Sequence, residues 1–252
     1  MNDSAAPSFA EIKRRFWEDP RSLVGCIPGI FLISKPRGIT SHDAVEIARR
    51  RLGIRRIGHG GTLDPFAEGL LILLVGSATR LFPELQGFDK EYRAIARLGV
   101  CTDTYDISGR LLATAPPEEV AAITRSKAEE VLSHFRGEIS QTPPPYSALK
   151  KKGIPYYRLA RRGEAIKPAP RRATAYEIEL LRFNNSEIEF RLRVASGFYV
   201  RSLAHEFGQR LGVGAALTSL IRVRIGPFSL TEALRADELI RPAPGHRLCP
   251  QP

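Results

Sequence analysis

Cysteine is scarce in this chain, and what there is follows no pattern. Cys26, Cys101 and Cys249 lie far apart, are odd in number and include no Cys-x-x-Cys pair. That argues against a disulfide scaffold and against a zinc module. The histidines do not fill the gap. His42, His59, His134, His205 and His246 include no pair at metal-ligand spacing, so no metal is expected. Long hydrophobic runs are missing as well. The longest, residues 70–75, falls far short of the roughly 20 residues that cross a bilayer as a helix. The chain does not open on a basic stretch followed by an apolar one, so no secretory leader is expected and the expected compartment is the cytoplasm. Repeats and low-complexity tracts are also absent.

Acidic residues are outnumbered, 27 against 38 Lys plus Arg, which leaves a formal charge of +11. Such an excess favours a polyanionic partner, because cations on phosphates release counterions. An anionic membrane surface is the rival partner, but nothing in the sequence would insert into one. Hydrophobic residues make up 43% of the chain, enough for a substantial core.

The elements are mixed. Residues 30–34 read as a buried strand, followed by a Pro/Gly turn at Lys35-Pro36-Arg37-Gly38. Thr40 with Asp43 caps a helix whose apolar face is Val45, Ala48 and Leu52 and which stops at Gly53. Tyr92, Ala94, Ala96 and Leu98 alternate with polar or lone apolar neighbours as in a strand, and Ile188, Phe190, Leu192 and Val194 do so most clearly. Ser126 with Glu129 suggests a capping box for a helix ending at Gly137. Ser196-Gly197 leads into a helix carrying Val200, Leu203, Ala204, Phe207 and Leu211. Without regular βαβ alternation, the expected class is α+β, a mainly antiparallel mixed sheet flanked by helices and loops. Residues 1–28 read as an N-terminal tail with one short helix at 9–17, and residues 231–252 as a short Pro-rich tail.

Three places could carry chemistry. The segment Gly58-His59-Gly60-Gly61-Thr62-Leu63-Asp64-Pro65 packs three glycines and a proline into eight residues. It lacks the Gly-Lys-Ser/Thr ending of a phosphate cradle. A carboxylate on so constrained a loop would be rigid and partly exposed; equally, Asp64 could cap a turn before Pro65. Arg201 stands near a helix N-terminus, where the macrodipole disfavours a cation, so a carboxylate partner would explain it. Tyr92 lies on the apolar face of its strand, where a core tyrosine is the ordinary reading. Asp103 and Asp106 read as turn residues that cap their own backbone.

Together these segments resemble the TruB family of pseudouridine synthases. The matching stretches are Lys35-Pro36-Arg37-Gly38-Ile39-Thr40-Ser41-His42-Asp43, the 58–71 segment, Lys90-Glu91-Tyr92, Thr102-Asp103-Thr104-Tyr105-Asp106, Gln141-Thr142-Pro143-Pro144-Pro145-Tyr146, Ser196-Gly197-Phe198-Tyr199-Val200-Arg201 and Leu220-Ile221-Arg222. They occur in family order across residues 30–228. The resemblance implies the pseudouridine synthase fold with an RNA-binding cleft. The reaction would detach uridine at N1, rotate it and rejoin it through C5, with no cofactor. It implies that Asp64 is the essential carboxylate. Attack on the base, attack on C1′ and removal of a sugar proton all remain open for it. Tyr92 would stack on the base, Arg201 would pair with the aspartate, and Leu220 would line the pocket.

The implied substrate is uridine 55 in the T loop of tRNA, flipped out for reaction, with His59 stabilising the space it leaves. Lys35, Lys150, Lys151, Lys152 and Arg161 would grip RNA, most of them on a basic insertion at about 141–172 within a catalytic domain spanning 29–230. Only 24 residues follow Phe228, so the small C-terminal RNA-binding (PUA) domain usual in the family is not expected in this chain. Accordingly no guide RNA and no obligate protein partner are expected. Two rivals stand beside this reading: a non-catalytic RNA-binding module, which would not need Asp64, Tyr92 and Arg201 together, and a hydrolase using Asp64 with Glu68, whose spacing suits two opposed carboxylates poorly.

Overall fold

The computed structural model describes residues 8–26, 28–151, 153–162, 164, 166, 168–184 and 186–235. The chain forms two compact units. One is built from the chain up to Glu91 and from Ile221 onward, the other from Tyr92–Leu220. The expected catalytic stretch 29–230 takes in residues of both units, and the chain passes from one to the other inside two strands.

The first unit contains α1 (Phe9–Glu18), β1 (Gly29–Lys35), α2 (Ser41–Leu52), β2 (Ile57–His59), β3 (Glu68–Val75), α3 (Phe82–Gly87) and the first residues of β4 (Lys90–Leu98). Strand β1 lies antiparallel to β3 in the register Gly29↔Val75 to Lys35↔Gly69, and β2 pairs with the other side of β3 at Ile57↔Val75. The apolar run 70–75 is buried throughout because β3 is covered on both faces. Ile30, Leu32, Leu70, Ile72 and Leu74 pack into one core cluster; Phe31, Ile33, Leu71, Leu73 and Val75 join α2 residues Ala44, Val45 and Ala48 in another. The α2 capping box is present as expected. Asp43 N–H donates to Thr40 Oγ1, Thr40 N–H donates to the Asp43 carboxylate, and Gly53 ends the helix in the left-handed region.

The segment expected as an N-terminal tail is more than a tail from Ser8 on. Ser8 and Glu11 form a capping box on α1, and Ile12 and Phe16 are fully buried in the first core cluster. A 3-10 turn at Pro20–Leu23 adds Leu23 to the same core.

The second unit continues β4 and adds β5 (Val100–Thr102), β6 (Leu111–Thr114), α4 (Pro117–Ala121), α5 (Arg125–Ser133), β7 (Gly137–Gln141), β8 (Lys150–Lys151), β9 (Ile154–Pro155), α6 (Tyr156–Arg161), β10 (Arg171–Asn184), β11 (Glu187–Val194), α7 (Val200–Arg210) and most of β12 (Ala215–Ile225). Its sheet runs β12-β4-β11-β10-β7. Helix α5 begins two residues earlier than expected: Thr124, not Ser126, is the cap, accepting from Lys127 N–H. The outer face of this sheet is a lattice of opposite charges: Arg93 and Arg182 on Glu189, Arg97 on Glu187, Arg191 on Glu179, Arg193 on Glu177. The basic insertion lies between β7 and β10, which pair at Gln141↔Arg171. Lys152 and the side chains of Lys150, Lys151 and Arg161 lie outside the described residues.

The chain returns to the first unit through the end of β12, then β13 (Phe228–Ser229) and β14 (Leu234–Arg235). Ile221 and Arg222 pair in parallel with Glu68 and Gly69, and β14 pairs in parallel with β1 at Ile33↔Leu234. Residues 231–235, expected within a tail, thus belong to the sheet; residues 236–252 lie outside the described residues.

Candidate active site

In the first unit, the loop carrying Asp64 is fastened at both ends. Gly60 N–H donates to the Ile72 carbonyl at 2.8 Å, and Gly38 N–H donates to the Pro65 carbonyl at 2.8 Å. Buried Ser41, the first residue of α2, closes a two-way clasp on Leu63: its hydroxyl accepts from Leu63 N–H at 2.8 Å and donates to the Leu63 carbonyl at 3.1 Å. A tight turn follows, with Ala67 N–H on the Asp64 carbonyl. Asp64 itself is half-buried, rigid in its backbone yet open to a ligand, as the loop composition suggested.

The residue that organises this loop is not one that the sequence marks as a site residue. Arg222 is fully buried on β12, on the same face as the alternating core positions. Its Nε donates to the Leu70 carbonyl at 2.8 Å, Nη1 to Thr62 at 3.2 Å and Nη2 to Gly61 at 3.1 Å. One planar fork thus satisfies three carbonyls along the Asp64 segment. Gly69 lets the two chains approach: at φ +105, a Cβ there would collide with the Arg222 backbone. The available signal was a lone arginine at a core position of a strand pattern.

Lys35, expected to grip RNA, does not face solvent. It is fully buried, and Nζ donates to the Pro36 and Ile39 carbonyls, each at 2.8 Å. A strand-end lysine turned inward holds its own turn together and has no donor left on the surface for phosphate. Burial pushes its ammonium down to about 8; Asp64 opposes that shift, Arg222 adds to it, and Glu68 and Asp43 oppose it. Lys90 is similar. It donates to the Gln86 and Phe88 carbonyls, and burial, with Arg222 second, brings it to about 8. His59 sits at the end of β2, half-buried, with its pKa lowered by burial and then by Arg222 and His42. Both causes favour the neutral imidazole.

In the second unit, Tyr92 is half-buried on β4 and Leu220 is buried on β12. Arg201 is buried in the first turn of α7, and the structure supplies the partners its odd position demanded. Nη1 donates to the Thr104 carbonyl at 2.9 Å, Nη2 to Tyr146 at 2.8 Å, and Nη1 lies 3.6 Å from Asp106 Oδ2 with both side chains buried. Asp106 is a turn residue as expected, accepting from Ser108 N–H and the Ser108 hydroxyl. Its second oxygen does the additional work of neutralising Arg201. Between them Tyr105 adopts φ +65, a costly conformation for an aromatic residue, and its ring stacks on His205 at 3.8 Å. The start of α7 is fixed by Gln141, which bonds both the N–H and the carbonyl of Tyr199. Among the described residues, no group of His, Cys, Asp and Glu is placed to hold a metal.

Comparison with known proteins bears on this arrangement. The family model described as TruB family pseudouridylate synthase (N terminal domain) matches residues 49–200, more than half of the chain. A tRNA pseudouridine synthase B from Opitutus terrae is 44% identical over 213 residues, 84% of this chain and 87% of that protein. One from Aquifex aeolicus is 44% identical over 214 residues, covering 84% and 73%. Among solved structures, a Cbf5–Nop10–Gar1 complex aligns with a TM-score of 0.65 at 30% identity, covering 95% of this chain and 59% of that one. An H/ACA RNP bound to a substrate RNA containing 2′-deoxyuridine aligns at 0.63 and 29%, covering 86% and 53%. The chain thus spans a little over half of those solved chains. An α+β fold with a carboxylate on a clamped glycine loop and a buried, neutralised arginine is, on these matches, that of a pseudouridylate synthase, an isomerase. The chain belongs to the TruB family of these enzymes.

Proposed function

We propose that this enzyme converts uridine 55 in the T loop of tRNA to pseudouridine, with Asp64 as the catalytic carboxylate. The observation that carries the reading is 44% identity to tRNA pseudouridine synthase B across most of both chains. A guide-dependent reading has less support, since identity to the Cbf5 chain is 30%. The cytoplasmic tRNA pool is the substrate, used without guide RNA.

The reaction balances within one nucleotide. The N1–C1′ bond breaks, the base turns, a C5–C1′ bond forms, C5 loses its proton and N1 gains one. The enzyme's tasks are to extrude the base, at a cost of a few kcal/mol, and to hold reactive groups still. The clamped 58–65 loop presents a carboxylate whose backbone does not need to reorganise. Tyr92 supplies a face for the flipped base, Leu220 an apolar wall, and Arg201 a guanidinium. His59, neutral, fills space in the emptied loop.

The test is chemical mapping of pseudouridine in an unmodified tRNA transcript incubated with the protein alone. Modification is expected at position 55 and is lost in Asp64→Asn, which still binds tRNA. Undiminished product with Asp64→Asn, or modification elsewhere, would sink the assignment.

A further inference from the structure

The chain's positive charge is not spread evenly in effect. On the outer face of the β4-β11-β10 sheet, five arginines are matched by glutamates. The run Arg49-Arg50-Arg51-Leu52-Gly53-Ile54-Arg55-Arg56 is different. Arg49 is used internally, on Glu46 and on the Ile57 carbonyl, and Arg56 donates to Thr79. Arg50, Arg51 and Arg55 are exposed and, among the described residues, have neither an ion pair nor a hydrogen bond. Helix-dipole preference accounts for basic residues in the last turn of α2. It does not account for Arg55, which follows the left-handed Gly53 that ends the helix. Three uncompensated guanidinium groups within six residues repel one another, and the fold keeps them together.

We propose that Arg50, Arg51 and Arg55 form a phosphate-binding surface for the RNA strand that flanks the target loop. This rests on the reading of the substrate as tRNA. Guanidinium forks match phosphate oxygens two at a time. The neighbouring apolar residues Leu52 and Ile54 turn inward to pack on the α2 core and offer no wedge to a bilayer, so the polyanion is RNA and not lipid. The position suits the task. β2 starts at the residue after Arg56 and ends at His59, so Arg55 precedes the segment carrying Asp64 by a strand only ~10 Å long. A strand held there has its adjoining loop at the reactive carboxylate.

The experiment measures tRNA binding against salt for the wild type and for Arg50→Gln/Arg51→Gln/Arg55→Gln. The control, Arg93→Gln/Arg97→Gln/Arg191→Gln, removes the same charge from the ion-paired sheet. The expected result is a slope of log K against log salt shallower by about 2–3 in the first variant, from roughly 0.7–0.9 per lost phosphate contact. Its affinity drops at least about tenfold near 0.1 M salt, as three lost contacts imply. The control changes the slope by less than about 1. Arg55→Gln alone, outside any helix, keeps the fold intact and gives about a third of the effect. Equal losses in patch and control variants would overturn the proposal, as would an unchanged slope, or binding to phosphatidylserine vesicles that the patch substitutions abolish while tRNA binding is untouched. The wild type is mapped for pseudouridine on the same tRNA. Binding without modification would overturn the proposed reaction and leave the arginine surface standing.

Discussion

Arg222 carries a charge into a position where β-strands ordinarily bury leucine or isoleucine. The cost of desolvating it is offset by its hydrogen bonds to three carbonyls. Arg222→Met should therefore lower stability by about 1–3 kcal/mol for each carbonyl left wholly buried and unpaired. Arg222→Lys, which restores a charge and some donors, should recover part of it. A positioning role adds a second expectation: in Arg222→Lys, kcat falls at least about tenfold, more than 1.4 kcal/mol of barrier, while KM for tRNA barely moves. Urea titration and steady-state kinetics read both, and wild-type kcat in Arg222→Met would refute the role. The buried lysines make a pH prediction. Lys35 and Lys90 titrate at about 8 in the folded protein, below the usual lysine value of 10.5, so between those pH values the unfolded chain binds more protons. Stability contributed by these groups rises with pH across that window, and the penalty for burying the charged form is fully present below pH 8. Urea midpoints measured from pH 7.5 to 10 should show the rise in wild type and a smaller one in Lys35→Met. Parallel curves would contradict it.

At the scale of elements, α1 is the feature whose importance the sequence concealed. Its pattern announced a helix, but not whether a short amphipathic helix at a chain end docks or waves in solvent. Docking depends on the acceptor surface formed by Leu70, Ile72, Leu74 and Phe228, which are distant in sequence. Phe16 is fully buried there and contacts the Phe88 ring at 6.0 Å between centroids. Phe16→Ala should cost about 3–5 kcal/mol. Thermal or urea unfolding would decide, and a loss under about 1 kcal/mol would mean the helix is dispensable. Other elements were legible because their signals are local: the Thr40–Asp43 box, the Gly53 stop and the alternation of β11 each need only neighbours in sequence. The α5 cap was misread by two positions because Thr124 and Ser126 can both accept from a helical N–H, and only the chain's entry path selects between them.

For the molecule as a whole, motif and charge were readable and inside and outside were not. Arg201 stood out because a cation near a helix N-terminus violates a local preference, whereas Asp64 alone reads as a cap and stood out through the family resemblance of its segment. Lys35 was placed among the RNA contacts by the family resemblance, and only the tertiary fold turns it inward. Asp106 looked finished as a turn residue because a carboxylate's second oxygen leaves no trace in sequence. The partition into two units was hidden too, since the boundaries fall within strands β4 and β12 and no linker composition marks them.

That partition has a consequence in time. Thr62 and Arg222 are 160 residues apart, so at a synthesis rate of about 5–20 residues per second the loop carrying Asp64 leaves the ribosome some 8–30 seconds before the arginine that fixes it. Until then the nascent chain has the Asp64 loop without the clamp, and the second unit can fold first while the segments on either side of it wait. The loop that carries Asp64 is thus locked only once β12, made much later in the chain, has joined it.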